Sequence, residues 1–456
     1  MARMFGTNGV RGVVNQDMTA ALVLQMGKAI GTVFPGRIAV ATDTRTSADM
    51  LRTALESGLM AVGCTVIELG VLPTPALQFF IKEHGGVAGG VMITASHNPP
   101  EFNGIKLIAA DGTEASRSQE EKIEEAYSNP IPSVDWEKAG TVFKLGDTGE
   151  AYVDAVADKV DVAAIRAGGL TVVLDCANGA ACRTAPRLLS RLGVRAITLN
   201  SNPQGEFPGH PSLLSEENIQ QLKDTVRDTA AALGVAFDAD ADRCLFVDGR
   251  GRFVSGDKSL ALLARAAVLN ALGGTVVTPV ATSSLVDEVV RSVGGNMIFT
   301  AVGAPIVARV MLANNAVFGG EENGGVIFPQ HQCCRDAAMA LAKMLELLVR
   351  NGPLAEQVDA LPNYYTEKRR IECPEEYREQ VVKYLADRTA NLKKDTTDGL
   401  KLLFDDGWVL IRSSGTEPVF RVFAESKNRQ TAENYANVYE RMIKGYLSAA
   451  NGTVDD

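Results

Sequence analysis

Short β-branched apolar runs recur along the chain, each followed by small polar residues and then by apolar positions at helical spacing. Three segments carry the whole layout: "RIAVATDTRTSADMLRTALESGLMAVGCTVIEL" from Arg37, "LTVVLDCANGAACRTAPRLLSRLGVRAITL" from Leu170, and "GTVVTPVATSSLVDEVVRSVGGNMIFT" from Gly274. In each, the helical stretch ends at a glycine and a second apolar run follows. Strand, loop, helix, glycine, strand is the βαβ unit, which predicts a parallel or mixed sheet with helices packed on it. Its threefold recurrence predicts three related α/β domains, at 1–150, 151–253 and 254–366, joined near 143–150, 247–257 and 361–370. From 367 the pattern changes. "EYREQVVKYLADRTANL" and "TAENYANVYERMIKGYLSAA" have helical spacing, while "KLLFDDGWVLIRSS" and "VFRVFAES" alternate as hairpin strands. The stretch 367–456 therefore reads as an α+β domain with an antiparallel sheet.

Composition narrows the choice of function. A chain of 456 residues exceeds the size at which one core keeps growing, in keeping with several domains. The net charge of −10 excludes nucleic acid as the main partner, because binding a polyphosphate through surface charge needs a basic face. The seven cysteines are odd in number and scattered, with no C-x-x-C pair. Neither a disulfide framework nor a zinc site is indicated, and a reducing, cytoplasmic setting fits. The start, "MARMFGTNGVRG", lacks the apolar core of a signal peptide, and no apolar run approaches the ~20 residues of a membrane span. The longest candidate, "SLALLARAAVLNAL", is broken by Arg265 and predicts a core helix. No membrane partner is expected.

Five polar stretches interrupt this scaffold. In "FDADADRCLFVDGRG", Asp238, Asp240 and Asp242 alternate at spacing two, which in an extended segment turns all three carboxylates to one side. Like charges so gathered are costly unless a cation neutralises them, and an all-oxygen set suits Mg²⁺ or Ca²⁺. An EF-hand is excluded, since Arg243 stands where its glycine belongs and Gly249 where its glutamate belongs. Adjacent Arg243 could orient a phosphate. In "RSSGTEP", Arg412, Ser413, Ser414, Gly415 and Thr416 combine a guanidinium, three hydroxyls and a flexible turn, the makings of a phosphate cradle or of a plain hairpin turn. No nucleotide-binding glycine pattern is present, so a nucleotide is not indicated. "FGGEENGGVIF" offers Glu321 and Asn323, groups able to read sugar hydroxyls, in what is by itself an ordinary acidic turn. "FGTNGVRG" places Arg11 between glycines, facing either solvent or a site.

The fifth, "TASHNPP", follows the apolar run "GGVMI". Ser96 lacks the glycines of a hydrolase elbow, and His97, its immediate neighbour, leaves the backbone in another direction and makes a poor base for it. Beside an acidic metal loop and a phosphate cradle, Ser96 reads better as a serine that itself carries a phosphoryl group and lends an oxygen to the metal.

Taken in order, "TASHNP", "DADADR", "GEENGG" and "RSSGTEP" resemble the motifs of the α-D-phosphohexomutase superfamily, over the whole chain. The resemblance implies a heart-shaped protein of four domains, three of them related α/β units. It implies Ser96 as a phosphoserine that holds Mg²⁺ together with Asp238, Asp240 and Asp242. Glu321 and Asn323 match the sugar-binding positions, and Arg412, Ser413, Ser414, Gly415 and Thr416 the substrate-phosphate site. Arg11, His97, Lys106 and Arg243 are the candidates for transition-state cations and proton transfer. The implied reaction moves a phosphoryl group between the 6 and 1 positions of a small sugar phosphate through a hexose 1,6-bisphosphate. "FGTNGVRG" is closest to the phosphoglucosamine mutases, which points to glucosamine 6-phosphate as substrate and glucosamine 1-phosphate as product. "GGEENGG" suits archaeal members, which include phosphomannomutase/phosphoglucomutase enzymes. A metal-dependent sugar phosphatase is the more distant alternative. A monomer or homodimer is expected. Two departures stand out. Gly325 occupies a place where many bacterial members have histidine, with His331 as a partial substitute, and Ala239 and Ala241 occupy places often held by glycine. Alanine should be tolerated there if neither position needs positive φ.

Overall fold

The computed structural model describes residues 4–6, 8–413 and 419–450. The first sheet contains β1 (Val10–Val13), β2 (Arg37–Thr42), β3 (Thr65–Val71), β4 (Val87–Ile93), β5 (Phe102–Ala109) and β6 (Val142–Lys144), in the order β1-β5-β4-β2-β3-β6. β2 runs parallel to β3 and β4, and β5 runs antiparallel to both β4 and β1. The second sheet contains β7 (Thr171–Asp175), β8 (Arg195–Leu199), β9 (Leu233–Phe237), β10 (Cys244–Asp248) and β11 (Phe253–Val254), in the order β11-β10-β9-β7-β8. The third contains β12 (Gly274–Pro279), β13 (Gly295–Thr300), β14 (Phe318–Gly320) and β15 (Val326–Ile327), in the order β13-β12-β14-β15. All three are mixed sheets.

The three repeated segments form the three parallel pairs β2–β3, β7–β8 and β12–β13, each crossed by a helix: Ala48–Ala61, Ala185–Leu192 and Ser284–Ser292. The glycines that ended the periodic stretches act as expected. Gly193 caps its helix in the left-handed region at φ 72°, where a side chain would be strained. The expected core helix forms over Gly256–Asn270.

The last sheet is antiparallel throughout and contains β16 (Tyr365–Glu372), β17 (Lys393–Asp395), β18 (Leu400–Phe404), β19 (Gly407–Ser413) and β20 (Val419–Ser426), in the order β16-β20-β19-β18-β17. Helices Arg378–Arg388 and Arg429–Ala450 cover it.

The apolar cores show how these units are joined. One continuous cluster runs through the first three domains, from Leu77 and Val153 through Leu174 and Phe246 to Leu341. The fourth domain has its own core, and its apolar contact with the third is a small patch of Val280, Ala281, Trp408, Leu410 and Phe423. All four units line a central cleft of about 2510 Å³, to which Ser96, Arg243, Glu321, Asn323, Lys368 and Arg412 contribute. Among the described residues no helix is long and apolar enough to cross a membrane.

Candidate active site

The serine loop hangs between the antiparallel partners β4 and β5. Ser96 adopts φ 51°, a conformation that costs an L-residue ~1–2 kcal/mol and has to be held by its surroundings. Arg45, buried behind the loop, holds it. Its two terminal nitrogens donate to the carbonyls of Ser96 (2.8 Å), Asn98 (2.6 Å), Pro99 (2.6 Å) and Phe102 (2.8 Å), while Nε donates to Asp43. Asp43 in turn accepts from Thr94 Oγ1, and Thr94 Oγ1 accepts from the Ser96 amide. From the second domain, Ser212 Oγ reaches the carbonyls of His97 and Asn98.

Ser96 Oγ donates to Asp238 Oδ2 at 3.1 Å and accepts from Arg243 Nη2 at 2.9 Å. The aspartates lie directly beneath the cleft floor and are fully buried. They converge in a different way from the one expected. Residues 238–243 form a turn and not an extended strand. Ala241 takes φ 55° and donates its amide to the Asp238 carbonyl, so a tight left-handed turn brings the carboxylates together. Positive φ is therefore required at Ala241, contrary to the condition set for tolerating alanine there, and Ala239 is free of it.

Carboxylate oxygens of Asp238, Asp240 and Asp242 lie within 4.8 Å of one another. Asp240 Oδ1 and Asp242 Oδ1 are buried with no hydrogen-bond partner. Two buried anionic oxygens without a hydrogen bond, the Asp242 oxygen 3.5 Å from Arg243 Nε, beside a third carboxylate and a serine hydroxyl fit a hard divalent cation. The opposite oxygens are satisfied. Lys106 Nζ donates to Asp240 Oδ2 (2.5 Å) and Asp242 Oδ2 (2.9 Å), Thr74 Oγ1 to Asp240 Oδ2 (2.6 Å), and Arg335 Nη2 to Asp242 Oδ2 (2.7 Å). Burial pushes the Asp238 carboxyl up to about 6 despite Arg243, whereas Arg335 and Lys106 outweigh the burial of Asp242 and hold it low.

Arg11, on β1, donates to Asn98 Oδ1 (2.8 Å) and to the Ala95 carbonyl (3.2 Å), so it faces the site and not solvent. His97 is not a cation in this arrangement. Burial, then Arg243 and Arg11, drives its pKa down to about 2. Its Nδ1 lies 2.6 Å from Arg243 Nη2, which can only donate, so Nδ1 accepts and Nε2 carries the proton.

Glu321 and Asn323 lie in the loop between β14 and β15 and face the cleft. The Glu321 oxygens meet the Gly303 amide (3.1 Å), Arg335 (3.4 Å) and Asn323 Nδ2 (3.5 Å), and Asn323 Oδ1 accepts from the Gly325 amide (3.1 Å). His331 does not substitute for a side chain at 325. It is buried, stacked on Phe79 at 5.5 Å and 3.4 Å from Asp336, away from the cleft lining. Arg412, near the end of β19, pairs with Asp398 at 2.9 Å, and half-buried Ser413 follows it. Ser414, Gly415 and Thr416 lie outside the described residues.

The site holds groups that the motifs did not single out: Arg45, Thr74, Arg335, Lys368 and Arg421. Arg421 alone had a sequence signal. It interrupts "VFRVF", and its register opposite Arg412 puts two guanidinium groups on one face of the sheet, an arrangement that favours an anion.

The chain matches one family over most of its length. Residues 2–131 match phosphoglucomutase/phosphomannomutase alpha/beta/alpha domain I, 150–251 domain II, 255–365 domain III and 370–440 the C-terminal domain. A phosphoglucomutase/phosphomannomutase of Thermococcus kodakarensis is 42% identical, with 98% of this chain and 100% of that protein covered. A probable phosphoglucosamine mutase of Methanopyrus kandleri is 39% identical over 97% and 98%. A crystal structure of a phosphoglucomutase/phosphomannomutase family protein from Burkholderia thailandensis superposes with a TM-score of 0.86 at 26% identity, covering 99% of this chain and 98% of that one.

Proposed function

Because the chain belongs to the phosphoglucomutase/phosphomannomutase family, we propose that it moves a phosphoryl group between the 6 and 1 positions of a hexose or hexosamine phosphate, with Ser96 as the residue that stores it. The supporting observation is the 3.1 Å contact between Ser96 Oγ, from the first domain, and Asp238, from the second. A group transferred at that oxygen lies beside a set of carboxylates suited to a divalent ion. We infer glucosamine 6-phosphate as the first substrate, on the "FGTNGVRG" start, with mannose and glucose 6-phosphates as alternatives. Relatives named for each kind stand at 42% and 39% identity.

In the proposed reaction the Oγ–P bond of phospho-Ser96 breaks as a sugar hydroxyl oxygen bonds to phosphorus. The hydroxyl loses one proton and Ser96 Oγ gains one, so the half-reaction is proton-neutral. The hexose 1,6-bisphosphate turns over in the cleft and returns its other phosphoryl group to Ser96. Asp238, Asp240, Asp242 and phospho-Ser96 would hold Mg²⁺, which when bound offsets charge on the transferring group. Arg11 and Arg243, the latter paired with Asp238 and in contact with Ser96 Oγ, are the cations for the same charge. Lys106 is committed to holding Asp240 and Asp242, and His97 offers Nε2–H as a neutral donor. Glu321 and Asn323 read the sugar hydroxyls. Arg412 and Ser413, with Arg421 and the expected Ser414, Gly415 and Thr416, take the phosphate that is not reacting. Seven free thiols suit a reducing, cytoplasmic setting.

The test is to incubate phosphorylated protein with each sugar 6-phosphate and a trace of the matching 1,6-bisphosphate, and to follow the 1-phosphate. Isomer formation that is lost in Ser96→Ala, with thermal unfolding unchanged, is the expected result. Inorganic phosphate released without isomer would indicate a phosphatase, and full activity in Ser96→Ala would refute the covalent route.

A further inference from the structure

Arg335 belongs to none of the four motifs, yet its guanidinium joins three domains. It donates to Asp242 in the second domain at 2.7 Å, lies 3.4 Å from Glu321 in the third, and lies 3.8 Å from Glu114 in the first. Glu114 in turn accepts from Asn8 at 2.8 Å, extending the chain of contacts to the N-terminal loop. The backbone of Arg335 bridges to Ile327 on β15, so the arginine lies alongside the hairpin whose loop carries Glu321 and Asn323. Its side chain is 9% exposed and reaches the cleft.

Gly325 explains how the arginine gets there. A Cβ at 325 would stand 2.3 Å from Arg335 Cδ and 3.1 Å from its Cγ. The backbone at 325 is not in the left-handed region, so the glycine is required for space and not for conformation. The stem of Arg335 crosses the place that any other residue at 325 would fill.

We propose that Arg335 is the positioning residue that aims the sugar loop relative to the aspartate loop, and that position 325 is glycine to admit it. The planar guanidinium serves both neighbours at once from separate nitrogens of one rigid fork, Nη2 on Asp242 and Nη1 on Glu321. With one Glu321 oxygen held by Arg335 and the other by the Gly303 amide, the carboxylate has a fixed direction in the cleft. The inference rests on the mutase reading, in which Glu321 contacts the sugar.

Binding measured without turnover or metal tests it. In a Ser96→Ala parent kept in EDTA, glucosamine 6-phosphate, mannose 6-phosphate and inorganic phosphate are titrated by calorimetry. Arg335→Met should weaken the sugar phosphates at least ~10-fold while inorganic phosphate changes less than ~2-fold. Gly325→Ala keeps the guanidinium but displaces it, and should reproduce that pattern. Combining the two should add less than ~2-fold, since both act on one contact. Sugar affinities within ~2-fold of the parent in both single variants would overturn the proposal. So would equal losses for sugar phosphate and inorganic phosphate, or independent, additive losses. A parent that binds no sugar phosphate would overturn the mutase reading itself, and this inference with it.

Discussion

Lys106 Nζ sits between Asp240 and Asp242, fully buried, as a built-in counter-ion for two of the three aspartates. Removing one partner of a buried ion pair costs ~3–5 kcal/mol because the other charge is left uncompensated. Lys106→Met should therefore lose about 3 kcal/mol in urea unfolding under EDTA. Mg²⁺ should return part of that loss, since a divalent ion replaces the missing charge, and a loss indifferent to Mg²⁺ would count against metal binding by the triplet. At this scale the sequence displayed Ser96 and the aspartates because they form compact patterns set against apolar strands. Arg45, Thr74 and Arg335 could not be read in the same way. Each is a lone polar residue whose meaning comes from partners 51, 166 and 93 positions away.

Among the elements, the serine loop depends most on a distant support. Arg45 satisfies four carbonyls of the loop through its two terminal nitrogens, and a lysine ammonium has too few donors and the wrong geometry to replace it. Each buried carbonyl left unmet costs ~1–3 kcal/mol. Arg45→Lys should thus cost ~2–4 kcal/mol in denaturant unfolding and reduce turnover by more than tenfold as the strained Ser96 relaxes. Unchanged stability would show that the loop holds its own shape. The βαβ units were readable because glycine ends each helix and β-branched runs flank it. The aspartate loop was readable in its chemistry but not its shape, since spacing two also fits a tight turn once Ala241 accepts a left-handed conformation. The stretch near 365, expected as a join, supplies β16, whose charged "TEKRR" conceals a strand paired along its full length with β20.

For the whole molecule, the continuous core through the first three domains and the separate core of the fourth suggest that the fourth is the part that can move. Lys401 lies in the contact between the fourth and third domains, donating to the Val280 carbonyl with its ammonium 4.0 Å from the Trp408 ring centroid. Burial lowers its pKa from the ordinary 10.5 to about 8, against the opposing pull of Glu425, Asp395 and Asp287. Between those values the unfolded chain binds the extra proton, so the penalty is full below pH 8 and fades as pH rises toward 10.5. The stability gained by Lys401→Met over wild type should therefore shrink by ~3 kcal/mol across that window, and a constant difference would refute the assignment. The central claim spans two domains: an oxygen of the first stores a phosphoryl group beside the carboxylates of the second. Mass spectrometry of the peptide containing Ser96, after incubation with a hexose 1,6-bisphosphate and then with sugar 6-phosphate, tests it most directly. The account predicts one phosphoryl group gained on Ser96 and then passed to the sugar, whereas turnover with Ser96 never phosphorylated, or with the label on another residue, would contradict it.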